Sequence, residues 1–171
     1  MELEEAIRTR RTHKAYAPEP VDRATLDELF ELARWAPNHK LTNPWRFRVL
    51  GPRSLERLKT AVDDPIAAAK LARAPTLVVV SAALRSGDPI LDEEDVLATA
   101  GAAYVVLLAA HGRGLAGYWR TPAVLREPAG RAAAGVGEDE RVLGLLHLGH
   151  PRQEPRAPER AAVQDVVAYL D

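Results

Sequence analysis

The chain contains no cysteine, and that absence removes disulfides, thiolate nucleophiles and zinc–cysteine centres together. It leaves the compartment open. An excess of one charge is missing too: 23 basic residues stand against 24 acidic ones, for a formal net charge of -1. A protein whose affinity for nucleic acid or a membrane surface comes from bulk charge is therefore not expected. No apolar run approaches the ~20 residues that span a bilayer. The acidic start, Met1-Glu2-Leu3-Glu4-Glu5, lacks the apolar stretch of a secretory signal. A soluble cytoplasmic protein, with no nucleic-acid or membrane partner, is the expectation. No G-x-G-x-x-G follows a strand pattern and no G-x-x-x-x-G-K-[ST] occurs, which excludes the usual dinucleotide and Walker-type phosphate loops. His147 and His150 lack a third ligand at usable spacing, so no metal is expected. No nucleophile, histidine and carboxylate assemble into a hydrolytic arrangement.

What is present suits one domain over residues 1–171, long enough to bury on the order of 70% of its unfolded surface. Nineteen of the 23 basic residues are arginine, the better fork for phosphate. The pattern begins with a short helix over Glu2 to Thr9. A second helix carries Leu26, Leu29, Phe30 and Ala33, with Asp22 or Thr25 as its cap and Thr25 with Glu28 as a capping box. Phe47 to Leu50 reads as a strand, and Ser54 as the cap of a helix bearing Leu55, Leu58 and Val62. Alanine-rich Pro65 to Arg73 is helical. Thr76 to Ala82 is apolar and β-branched enough to be buried on both faces. A polar loop, Arg85 to Asp95, precedes a long core helix from Val96 to His111. Gly117 to Pro122 gives a short strand or turn. Pro122 to Arg126 and Arg131 to Ala134 suit short surface helices, and Arg141 to Gly149 a second buried strand. A Pro/Arg-rich leash from Pro151 to Arg160 leads to a last helix, Val163 to Leu170. The order implies an α+β fold, a small mixed sheet covered by helices.

Three stretches carry candidate chemistry. Arg10-Arg11-Thr12 offers two forked cations and a hydroxyl at a helix end, suited either to a phosphomonoester or to offsetting the helix dipole. Ala36 to Phe47 holds Pro37, Asn38, His39, Lys40, Thr42, Asn43 and Pro44. Its side chains either line a ligand site or bond their own backbone in a turn. Trp119-Arg120-Thr121 supplies a flat indole, a cation and a hydroxyl, or a core tryptophan beside a solvated arginine.

Taken together and in order, these blocks resemble the nitroreductase family, and within it the small NAD(P)H nitroreductase branch. The matching runs are Arg10-Arg11-Thr12, Ala36-Pro37 to Asn43-Pro44-Trp45-Arg46-Phe47, Gly114 to Arg120, and Val142 to Pro151. The resemblance implies a homodimer with FMN at the interface. It implies that Arg10, Arg11 and Thr12 hold the ribityl phosphate and flavin edge, and that Trp35 and His39 come from the other subunit. Trp119, Arg120 and Thr121 complete the pocket, with Arg160 as a late phosphate ligand. Ala109, Ala110, His111, Gly112, Arg113 and Gly114 match the region associated with NADH or NADPH. The implied activity is ping-pong hydride transfer through flavin N5 to a small-molecule acceptor, a nitroaromatic or quinone, with no obligate catalytic side chain. Leu41 and Asn43 depart from the usual asparagine and glutamine of the family. That departure motivates an alternative, a flavin protein devoted to flavin fragmentation, reductive dehalogenation or cofactor sequestration.

Overall fold

A computed structural model describes residues 1–85 and 87–170, so Ser86, within the expected polar loop, lies outside the described residues. Four strands form one sheet in the order β1-β2-β4-β3: β1 is Trp45–Val49, β2 Thr76–Ala83, β3 Ala116–Arg120 and β4 Glu140–Gly149. Every ladder is antiparallel. The mixed sheet expected from the sequence is thus mixed only through one isolated parallel bridge, Thr12 to Gly117. β2 lies between two neighbours and is buried at every position, as its unbroken apolar, β-branched run requires.

Helices cover both faces. On one, α2 (Arg23–Ala33) and α5 (Pro89–Gly112) pack with Val78, Val80, Leu146 and Leu148. On the other, Leu77, Val79 and Leu145 meet Leu58 of α3 (Pro52–Thr60), Leu71 of α4 (Pro65–Leu71) and Ala133 of α6 (Pro128–Ala133). The first helix, α1 (Leu3–Thr9), lies against α5. β4 carries a glycine whose lack of a side chain the sheet demands. A Cβ on Gly144 would overlap the indole of Trp119 and the carbonyl of Arg120 on β3. Across the sheet, Arg48 of β1 makes a fork to Glu140 of β4, with one arm at 2.5 Å, and Ser81 of β2 donates to the same carboxylate. Burial pushes the Glu140 carboxyl up, but these hydrogen bonds more than offset it and hold the group below the usual carboxylate range.

Several sequence expectations change. Asp22 alone caps α2, accepting from the Thr25 amide and hydroxyl, so the Thr25–Glu28 capping box does not form. Gly51 stands at the N-cap of α3, where Ser54 was expected, because Pro52 fits the first helical turn. α5 starts at Pro89 instead of Val96: Asp88 caps it, and the acids of its first turns sit at the positive end of the dipole. With 24 residues, α5 is long and apolar enough to cross a membrane by length and composition. The core uses that character instead, burying Thr99, Ala102, Ala103, Val106, Leu107 and Ala110. The Ala123–Arg126 turn is not a surface element, since Val124 and Leu125 are buried. The helix expected over Val163 to Leu170 is only a 3-10 turn, Val163–Asp165. Its apolar residues stay exposed, for they find no surface within their own chain.

One core residue is out of keeping with its neighbours. His147 on β4 is fully buried between Leu77 and Tyr118, and neither ring nitrogen has a hydrogen-bond partner. Burial, with the positive charges of Arg120 and Arg73, lowers its pKa to about 3. Folded, the ring stays neutral, whereas the unfolded chain takes up a proton below the ordinary value of 6.5. Stability is therefore lost as pH falls from 6.5 toward 3, by about 2 kcal/mol at pH 5. Urea unfolding at neutral and mildly acidic pH should show wild type losing about that much more than His147→Leu; parallel losses would contradict the assignment.

Candidate functional site

The residues after α1 run in extended conformation between two neighbours. On one side, Thr12 bridges to Gly117 and the His13 amide donates to the Gly117 carbonyl at 3.1 Å. On the other, Ala17 donates to His150 at 2.9 Å and Tyr16 bridges to Pro151. This second contact turns the Pro/Arg-rich leash back over the start of the chain. Arg10, Arg11, Thr12 and Lys14 then face Pro155, Arg156, Pro158 and Arg160 across a bowl of about 300 Å³. Arg10, Arg11, Thr12 and Arg160 thus line one cavity, though 150 residues separate Arg10 from Arg160. Lys14 and Arg156 join them unforeseen; their signal was a further basic residue in each of two segments already rich in arginine.

Five cations therefore share one small cavity. No ion pair ties any of the five to a carboxylate among the described residues. Arg11 is partly spent, since its Nη1 donates to the carbonyls of Arg8 at 2.6 Å and Arg10 at 2.9 Å and so closes the end of α1. The field reaches two histidines. Burial, then His111 and Arg10, holds His13 below its ordinary pKa. Burial, then Arg10 and Arg11, does the same for His111. Thr9 Oγ1 already donates to the Glu5 carbonyl at 2.6 Å, so its 2.8 Å contact with His111 Nε2 has the ring as donor.

The remaining candidates lie elsewhere. Ala109 to Gly114 finish α5: Ala110 is core, His111 braces α1, and Arg113 pairs with Glu28 of α2 at 3.1 Å. Gly112 is an exposed residue of the last turn, and Gly114 takes a positive φ of 75° to leave the helix. At the far end of β3, the indole of Trp119 donates to the Leu143 carbonyl at 3.1 Å and Arg120 to the Lys70 carbonyl at 2.7 Å. Thr121 borders a cleft of only about 30 Å³ beside Pro122 and Val142. These three side chains do not enter the basic bowl. Trp35 is 74% exposed just past α2, and its ring carries the Arg34 guanidinium 5.2 Å from the centroid.

The central loop satisfies much of its own polarity. Asn38 Oδ1 accepts from the Asn43 amide at 3.0 Å, Asn43 Nδ2 donates to the Leu41 carbonyl at 2.7 Å, and Thr42 donates to Asp95 of α5. The turn reading of these side chains therefore holds for Asn38 and Asn43. Lys40, Leu41 and Asn43 all have positive φ, between 48° and 53°, an uncommon and strained choice for residues other than glycine. The fold that it maintains sets Pro37, Asn38 and His39 along one wall of a second cavity, of about 440 Å³, facing α5.

Residues 7–67 match the model of the nitroreductase family. The provisionally named NAD(P)H nitroreductase YfhC of Bacillus subtilis is 26% identical over 95% of this chain and 91% of its own. A nitroreductase-like family protein from Bacillus cereus superposes over 100% of this chain and 97% of its own, with a TM-score of 0.90 at 22% identity. The FMN and NADPH-dependent nitroreductase NfnB from Sphigopyxis sp. strain HMH covers all of both chains with a TM-score of 0.82 at 19% identity. Sequence match, full-length relative and shared fold agree with the order of blocks read from the residues: the chain is similar to the nitroreductase family over residues 7–67 and shares the nitroreductase fold along its length.

Proposed function

We propose that this protein is an FMN-dependent NAD(P)H oxidoreductase that works as a homodimer and reduces nitroaromatic or quinone-type acceptors. The observation that carries the reading is the bowl of five cations without carboxylate partners, joined by the Thr12 hydroxyl. A phosphomonoester brings about −1.5 to −2 charges and three strong acceptor oxygens. Forked arginines and a hydroxyl are the donor set that such a group asks for. The residues present therefore fit the phosphate of FMN: Arg10, Thr12, Lys14, Arg156 and Arg160 would hold it, with Arg11 giving one free arm. FMN, when bound, supplies the chemistry of accepting a hydride from NADH or NADPH and passing reducing equivalents to an acceptor. The protein's part is to bind, orient and neutralise charge, in keeping with a site that offers no paired acid and base. NfnB, described as FMN and NADPH-dependent, supports the same reading at the level of fold.

The dimer rests on apolar surface that one chain leaves uncovered. α5 is apolar on two faces. Opposite its buried stripe, Ile90, Leu97 and Tyr104 recur at seven-residue intervals and are 71%, 63% and 40% exposed. Leu3 and Ile7 of α1, Trp35 and Leu41 are exposed on elements that adjoin it. Exposed apolar residues grouped in this way support an interface. Residues 151–171, whose Val163, Val166, Tyr169 and Leu170 are also exposed, suit an arm laid on the partner. Trp35 and His39 would then reach the partner's cofactor, which accounts for their distance from their own bowl.

The purified protein is expected to be yellow, or to become so with added FMN, and to oxidise NADH or NADPH when a quinone is supplied. A colourless protein that ignores FMN would end the reading, and bound flavin without turnover would favour sequestration. Arg10→Ala should weaken FMN by ~1.5–3 kcal/mol in a flavin titration, the worth of a hydrogen bond to a charged group. Unchanged affinity would remove Arg10 from the site. Light scattering should give twice the chain mass of 18.7 kDa; a monomer that retains flavin would contradict the shared site.

A further inference from the structure

α1 delivers Arg10 and Arg11 to one wall of the basic bowl, yet of its seven residues only Ala6 is buried. A helix so short has little stability of its own. Arg11 closes its last carbonyls from within the same segment. What ties its end to another element is the hydrogen bond from His111 Nε2 to Thr9 Oγ1, at 2.8 Å. Thr9 immediately precedes Arg10. His111 stands in the last turn of α5, which is packed into the core through Ala103, Leu107 and Ala110. The anchor is therefore on a rigid element.

Charge reaches this ring from each neighbouring segment. After burial, Arg10 and Arg11 hold its pKa down, and Glu5 of α1 pulls the other way. His13, one residue past Thr12, lies near enough that His111 lowers its pKa as well. On α5 itself, Arg113 is paired with Glu28. His13 is buried and His111 only partly so, hence a proton arriving at the pair goes to His111. We propose that His111 is the positioning residue of the bowl: through Thr9 it fixes the arginines that follow, and it takes up a proton when a phosphate dianion binds between them. The assignment rests on the reading of the bowl as a phosphate site. A phosphomonoester brings about −1.5 to −2 charges and cancels the part of the depression due to the arginines. His111 then holds its proton more tightly in the loaded protein, so anion affinity at this site rises as pH falls through the histidine range.

The test titrates FMN, riboflavin and inorganic phosphate into the full-length chain freed of flavin, as wild type, His111→Phe and His111→Gln. At neutral pH, His111→Phe should weaken FMN and phosphate by about fivefold, the net worth of one hydrogen bond. Riboflavin, which lacks the phosphate, should bind as before. His111→Gln, whose amide can still donate to Thr9, should restore most of the loss. A loss shared equally by riboflavin, or no rescue by glutamine, would overturn the positioning role. On acidification to about pH 5.5, the ratio of wild-type to His111→Gln affinity for FMN should rise about two- to fivefold, the worth of one partly exposed charge pair. The phosphate's own titration is common to both proteins and cancels in the ratio. A flat or falling ratio would overturn the proton uptake. Inorganic phosphate that depends on His111 in this way, in a protein that ignores FMN, would fail the flavoprotein reading and leave the anchor standing. FMN bound equally well by all three proteins would overturn the anchor and leave the flavoprotein reading intact.

Discussion

The pinning of residues 12–17 between the edge of β3 and the first residues of the leash is the constraint on which the site geometry depends. A few backbone contacts, His13 to Gly117 on one side and Ala17 to His150 on the other, do the work of an added strand without forming one. They hold the end of α1 and the late arginines within one bowl. Tyr16, buried in the core, anchors the first segment, and backbone hydrogen bonds bring the leash to it, so the two together gather the charges. Mutual repulsion among five cations opposes that arrangement. An anion bound between them would relieve it, and the bowl therefore couples local order to occupancy.

The same constraint explains the uneven legibility of the sequence. β2 and β4 are plain in it because unbroken apolar runs have few other ways to be buried. α2 is plain because Leu26, Leu29 and Ala33 repeat at helical spacing behind an aspartate cap. Arg10, Arg11 and Thr12 stand out because three polar groups follow a short helix. Lys14 and Arg156 do not, because their role depends on how the leash returns, and nothing local in the leash encodes its path. Sheet direction was hidden for a similar reason: pairing partners are set by tertiary register, which alternation alone does not reveal.

The last segment teaches the opposite lesson. Val163, Val166, Val167 and Leu170 carry the spacing of a helix, yet only a single 3-10 turn forms there. Short helices draw their stability from a surface against which to lay an apolar face. Within one chain that surface is missing. α5 gives the complementary case, an element whose second apolar stripe is surplus to its own fold. Trp35 and Leu41 stand beside that stripe, and all of them are reconciled if the folding unit is larger than a single polypeptide.

The spacing of the bowl's components along the chain has a temporal consequence. Arg10 leaves the ribosome well before Arg156 and Arg160, which follow it by nearly the whole length of the sheet and its helices. A nascent chain therefore cannot close the basic bowl until the leash has emerged, whatever the sheet has already achieved. Gathering of its five cations comes after the elements that hold them apart have already been made.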